Sequence, residues 1–83
     1  MNQQLENLGD IIADILVSLE QEAIGISKNQ FYIRRIRMLI DVYAEEFDEI
    51  LGKHRVGMVN EIKKLMTSFL DDLEKITNSE RVE

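Results

Sequence analysis

The stretch Ser27–Leu51, SKNQFYIRRIRMLIDVYAEEFDEIL, limits what this chain can fold into more than any other. Within it Ile33, Ile36, Ile40, Tyr43, Phe47 and Ile50 recur at alternating intervals of three and four. That spacing lines one side of an α-helix and does not fit the two-residue alternation of a strand. Ser27 and Gln30 read as a capping box, each side chain satisfying the other's backbone amide. Ile26 and Phe31 stand where a hydrophobic staple would join the residue before the cap to the fourth helical residue. Gly25 suits the left-handed position that closes a preceding helix. A corner over 25–27 and a helix over about 28–51 follow, roughly 37 Å long at about 1.5 Å per residue.

This helix carries more apolar surface than one neighbouring layer needs. Tyr32, Leu39, Ala44 and Leu51 widen the stripe, while Phe31, Met38 and Val42 fall partly outside it. One wide core accounts for the surplus, and so does a second, intermolecular face. Its charges are polarised: Lys28, Arg34, Arg35 and Arg37 fill the first half, and Asp41, Glu45, Glu46, Asp48 and Glu49 the second. A helix dipole favours the reverse order. Pairs such as Arg37–Asp41 offset part of the misfit. A copy of the helix laid antiparallel would set each basic half against an acidic half, with a two-fold axis near Asp41 or Val42. The sequence therefore predicts a homodimer through this helix. The predicted contact residues, with itself or with a protein partner, are Phe31, Arg34, Arg35, Arg37, Met38, Asp41, Val42, Glu45, Asp48 and Glu49.

The flanking segments are helical too. Leu5, Leu8, Ile12, Ile15 and Leu19 recur at heptad-like spacing, with Ile11, Leu16 and Ala23 beside them, and predict a helix over about 3–24. It contains Glu6, Asp10, Asp14, Glu20 and Glu22 and no cation. These acids read as a solvated face, with Asp14 and Glu20 placed to meet Arg34 and Arg37. Gly52 to Gly57 reads as a second corner, where Lys53, His54 and Arg55 suit a negative helix end. Val59, Ile62, Met66, Phe69, Leu73 and Ile76 then predict a helix over about 57–77, with 78–83 a polar, flexible tail.

At 83 residues the chain is one domain, placed here at 1–77, and so small that close packing or oligomerisation must support it. It has no proline, and its hydrophobic content of 45% is too high for a disordered segment. The expected fold is all-α: an antiparallel three-helix arrangement that dimerises into a larger bundle. Without cysteine there are no disulfides or thiolate metal sites, which suits the inside of a cell. The N-terminus lacks a basic segment, and Asp10 and Asp14 break its apolar run, so no signal peptide is expected. No run is long enough for a membrane span. A cytoplasmic protein is expected.

Chemistry finds little purchase. His54, the one histidine, sits between Lys53 and Arg55, as solvated surface residues do. The run Glu45-Glu46-Phe47-Asp48-Glu49 lacks the Glu-x-x-His pairs of bundle di-iron sites, and no phosphate-binding glycine loop is present. No cofactor or metal is expected. Phe31-Tyr32-Ile33-Arg34-Arg35-Ile36-Arg37 interleaves aromatics with arginines at a helix start, in the manner of a recognition helix. The acidic second half and a net charge of −6 oppose a phosphate backbone there. The function expected is that of a non-enzymatic protein-binding regulator, adaptor or inhibitor. The alternatives are a nucleic-acid-associated regulator using Arg34, Arg35 and Arg37, and a small enzyme whose site forms between subunits.

Overall fold

The computed structural model describes residues 3–81, with side chains over 7–81. Three helices follow one another: α1 (Gln3–Ile24), α2 (Gln30–Lys53) and α3 (Met58–Arg81). The order and type match the expected antiparallel three-helix fold. α2 packs along both neighbours, whereas α1 and α3 barely touch. The Cα envelope measures 46 × 18 × 14 Å. A helix of 24 residues spans only about 36 Å, so the helices are staggered lengthwise.

The core is built around α2. Tyr32, Ile33, Ile36, Ile40, Tyr43 and Phe47 are buried, and Ile36 is wholly inaccessible. α1 contributes Ile12, Leu16 and Ala23, and α3 contributes Phe69 and Leu73. The rings of Tyr43 and Phe69 meet edge to face, with centroids 5.2 Å apart and planes at 64°. The heptad expected for α1 is rotated: Leu16 is buried, while Ile15 is exposed and Leu8 and Leu19 are half-buried. Leu5 and Glu6 have side chains outside the described residues. On α3, Val59 is exposed and Met58 takes the first core position instead.

Both corners differ from expectation in their chemistry. The N-cap of α2 is Asn29, not Ser27: Asn29 has φ −63° and ψ 115°, and its Oδ1 accepts from the Phe31 amide at 2.9 Å. Ser27 acts one step earlier, its Oγ accepting from the Asn29 amide at 3.1 Å. Asparagine caps as well as serine, and here it is Asn29 that carries the extended backbone a cap needs. With the start moved to Gln30, Phe31 is the second helical residue and faces solvent. The Ile26–Phe31 staple is therefore not formed, and Ile26 packs half-buried against the core instead. Gly25 is not left-handed. It continues the end of α1, its amide donating to the Gln21 carbonyl at 3.1 Å.

The left-handed residues lie at the second corner, at His54 (φ 47°) and Gly57 (φ 89°). α2 continues through Gly52 because Leu51 is half-buried against α1, close beside Gly9. Gly57 gives α3 its first helical bond, its carbonyl accepting from the Glu61 amide at 3.0 Å. Arg55 clamps the corner with a two-pronged grip on Glu61, and that guanidinium holds the Glu61 carboxyl below its ordinary range. α3 does not stop at 77. Asn78–Arg81 is helical because Ile76, Thr77 and Glu80 keep half of one face covered. Residues 82 and 83 of the expected tail lie outside the described residues.

If Asn29 is the cap, Asn29→Ala should cost about 1 kcal/mol of unfolding free energy, and Gln30→Ala much less. Urea unfolding followed by circular dichroism checks this. A larger loss for Gln30→Ala would restore the capping box.

Candidate functional site

Two surfaces stand out, on opposite sides of the molecule. The first is the outward face of α2. Phe31, Met38 and Val42 are exposed there to 69%, 61% and 54%. At about 3.6 residues per turn they form one stripe, turned away from the buried arc. Arg34 and Arg35 border its first half, and Glu45 and Glu49 lie along its second. Arg37, Asp41 and Asp48 stand further round, on the flank nearer α1. All are exposed.

The expected internal ion pairs do not form. Among the described residues the only pairs are Lys53–Glu49 at 3.7 Å, both exposed, and Arg55–Glu61. Asp14 and Glu20 do not meet Arg34 or Arg37, and Arg37 does not close on Asp41. Ordering two long side chains in water costs about what an exposed pair returns, typically under about 1 kcal/mol. The three arginines thus remain available to something outside the chain.

The second surface was not anticipated. α1 and α3 both rest on α2 without closing on each other, which leaves a groove of about 690 Å³ between them. Its lining is mixed: Leu19, Ala23, Leu70 and Leu73 supply apolar surface, and Glu22, Glu74, Asn78 and Arg81 polar or charged surface. Ile11 and Ile15 extend the α1 edge by i,i+4 steps from Leu19. Val59 and Met66 extend the α3 edge in the same way. Ile11, Ile15, Val59 and Leu70 are exposed to 54%, 38%, 70% and 44%. The signal was present in the sequence as Ile11 and Ile15 beside Ile12 and Leu16, an apolar arc too wide for one neighbour.

The buried polar groups serve the fold. The Tyr32 hydroxyl donates to the Ala23 carbonyl at 2.6 Å, fastening the start of α2 to the end of α1. The Tyr43 hydroxyl donates to Asp72 Oδ2 at 2.5 Å and lies 3.0 Å from Ser68 Oγ, fastening α2 to α3. Burial raises the pKa of both phenols, first of all causes. The Asp72 carboxylate raises Tyr43 further, since it accepts the proton's hydrogen bond, and the charge of Glu80 adds to Tyr32. His54 stands exposed at the second corner. Among the described residues no group of His, Asp and Glu is placed to hold a metal ion, and no helix is long and apolar enough to cross a membrane.

No protein-family model matches the chain, and neither the curated proteins nor the solved structures include a match to it.

The two phenols carry a pH dependence. Folding holds their protons more tightly than the unfolded chain does, so this stability is fully present below 10.0, the ordinary value. It is lost as the pH rises from there toward the raised values. Urea unfolding free energies should therefore fall above pH 10.0, with a shallower fall in Tyr43→Phe. The same substitution should cost about 1 kcal/mol at neutral pH through the lost hydrogen bond. An unchanged alkaline slope in Tyr43→Phe would remove Tyr43 from this account.

Proposed function

We propose that the chain is a small, non-enzymatic protein-binding regulator, adaptor or inhibitor that acts in the cytoplasm as a homodimer. The dimer forms through the outward face of α2. The observation that supports this reading is the exposed stripe Phe31, Met38 and Val42, bordered by arginines at one end and glutamates at the other. Isolated exposed apolar residues are ordinary, but three on one line of a helix, interleaved with arginines, support a contact surface. Its charges make it self-complementary. An antiparallel copy with its axis between Met38 and Val42 sets Met38 on the partner's Val42, and Arg34 and Arg35 at the level of the partner subunit's Glu45 and Glu46. The pairing is isologous, closes on itself and offsets the unfavourable dipole order of α2. It also gives a small domain the additional buried area it needs.

The exposed Arg34, Arg35 and Arg37 support a second reading as a nucleic-acid contact, which a salt titration of DNA binding tests. In that case the arginines bind duplex DNA with a steep salt dependence.

Light scattering at micromolar concentration and low salt should give twice the chain mass of 9.7 kDa. Met38→Glu should weaken dimerisation by about 2 kcal/mol, or about thirtyfold in dissociation constant. Reversing Arg34, Arg35 and Arg37 to Glu should also separate the subunits. Adding Glu45→Arg, Asp48→Arg and Glu49→Arg to that variant should rejoin them. A monomer at low salt would falsify the dimer.

A further inference from the structure

We infer that the corner between α2 and α3, with the first turns of α3, is the docking site for a short acidic segment of a partner protein. This rests on the reading of the chain as a protein-binding module, but not on its dimerisation. Residues 52–67 hold four of the chain's ten cations and one of its sixteen acids, a net charge of +3 against −9 for the rest. Lys63 and Lys64 stand exposed on the outer side of α3, and neither enters an ion pair among the described residues. With Asn60 and Thr67, one turn to either side, they line a shallow depression of about 430 Å³. The Thr67 hydroxyl donates back to the Lys63 carbonyl at 3.0 Å. Its methyl and the lysine stems therefore give the depression carbon walls, and the ammonium groups supply the charge.

The corner holds this surface in shape. Arg55 grips Glu61 with two prongs, and the Met58 amide donates to the Arg55 carbonyl at 3.2 Å. Arg55 first, and then the charges of Lys53 and Lys64, lower the Glu61 carboxyl, which sets three cations around one acid. Val56 is fully exposed at the tip, and Val59 is exposed beside Asn60. A surface fixed before contact loses little freedom on binding. Its cations are too narrowly bounded for an extended polyanion. Glu45, Glu46, Asp48 and Glu49 crowd the last turns of α2 that lead into the corner, and Asp71 lies one turn beyond Thr67. A duplex or a lipid surface wide enough to cover the corner would meet these acids too, and like charges in contact are penalised. A single peptide segment can follow Lys63 and Lys64 without reaching them. Its carboxylates face the two ammonium groups, and one apolar side chain meets Val56 or Val59.

The test is an NMR titration of the isotope-labelled full chain with a short synthetic peptide of glutamates and aspartates around one leucine. A twin peptide carries glutamine and asparagine in place of every acid. The backbone amides of residues 56–67 should shift saturably with the acidic peptide, less so as salt rises, and should ignore the twin. Lys63→Glu with Lys64→Glu changes only exposed residues. It should weaken binding about tenfold, with circular dichroism confirming the fold. Arg34→Glu with Arg35→Glu should leave binding unchanged. No shifts, equal shifts with the twin, or indifference to the lysine reversal overturns the inference. Shifts centred on residues 28–37 move the site to the α2 arginines and overturn the corner while sparing the protein-binding reading. Tighter binding of duplex DNA or of phosphatidylserine vesicles at the corner gives it to phosphates and overturns the peptide occupant. Light scattering on the same samples reads the α2 dimer independently. An assembly larger than that dimer, lost in Lys63→Glu with Lys64→Glu, gives the corner to a second copy and overturns the inference.

Discussion

The structure depends on one shared wall. α2 is the only helix that packs along both others, so its buried arc from Tyr32 to Phe47 is the surface against which everything else is placed. Hydrophobic burial supplies the attraction but has no direction. Two phenols add direction. Tyr32 reaches the last turn of α1 and Tyr43 the middle of α3, each through a short hydrogen bond from the edge of an otherwise apolar arc. Because α1 and α3 do not brace each other, these bonds and the packing around them set the angle of each outer helix independently. The groove is the geometric result of that independence.

Electrostatics has little part in holding the fold. The described residues contain two ion pairs, one exposed and weak and one clamping the α2–α3 corner. Apart from Asp72, which accepts the Tyr43 hydroxyl, most of the remaining charges lie in water, sorted by sign along the first two helices: acids on α1, arginines on the first half of α2, acids on its second half. Sorting of this kind does nothing for the isolated chain and carries a small dipole penalty on α2. Its value lies in selection between partners, where complementary potentials speed encounter and like charges reject the wrong surface.

The helices and their order were legible because the three-and-four spacing is written by the core itself. Ile33, Ile36, Ile40, Tyr43, Phe47 and Ile50 form the stripe legible in the sequence; the first five are buried and Ile50 is half-buried. Boundaries were less legible, since competing side chains offered the same chemistry. Ser27 and Asn29 are both good caps two residues apart, and choosing between them requires knowing the backbone dihedrals. The phase of α1 was also ambiguous: Ile11, Ile12, Ile15 and Leu16 fit two seams, and only the position of α2 selects Ile12 and Leu16. Proposed pairs such as Asp14 with Arg34 failed for a different reason. Asp14 stands two residues from both Ile12 and Leu16, which are buried, so it faces away from α2, and Arg34 lies on the outward side of α2. The groove was hidden because it belongs to the spacing between two helices that no local pattern encodes.

The near-absence of contact between the first and last helices bears on how the chain reaches its native state. Each of its two helical hairpins closes through neighbours in sequence, and α2 belongs to both. The mean sequence separation of contacts is then low, which favours rapid barrier crossing and few kinetic traps. It also allows order to accumulate as the chain leaves the ribosome. Ala23 can receive the Tyr32 hydroxyl before Ser68 and Asp72 have been synthesised. The first hairpin would be in place as a template, with one apolar flank of α2 waiting for α3 to arrive.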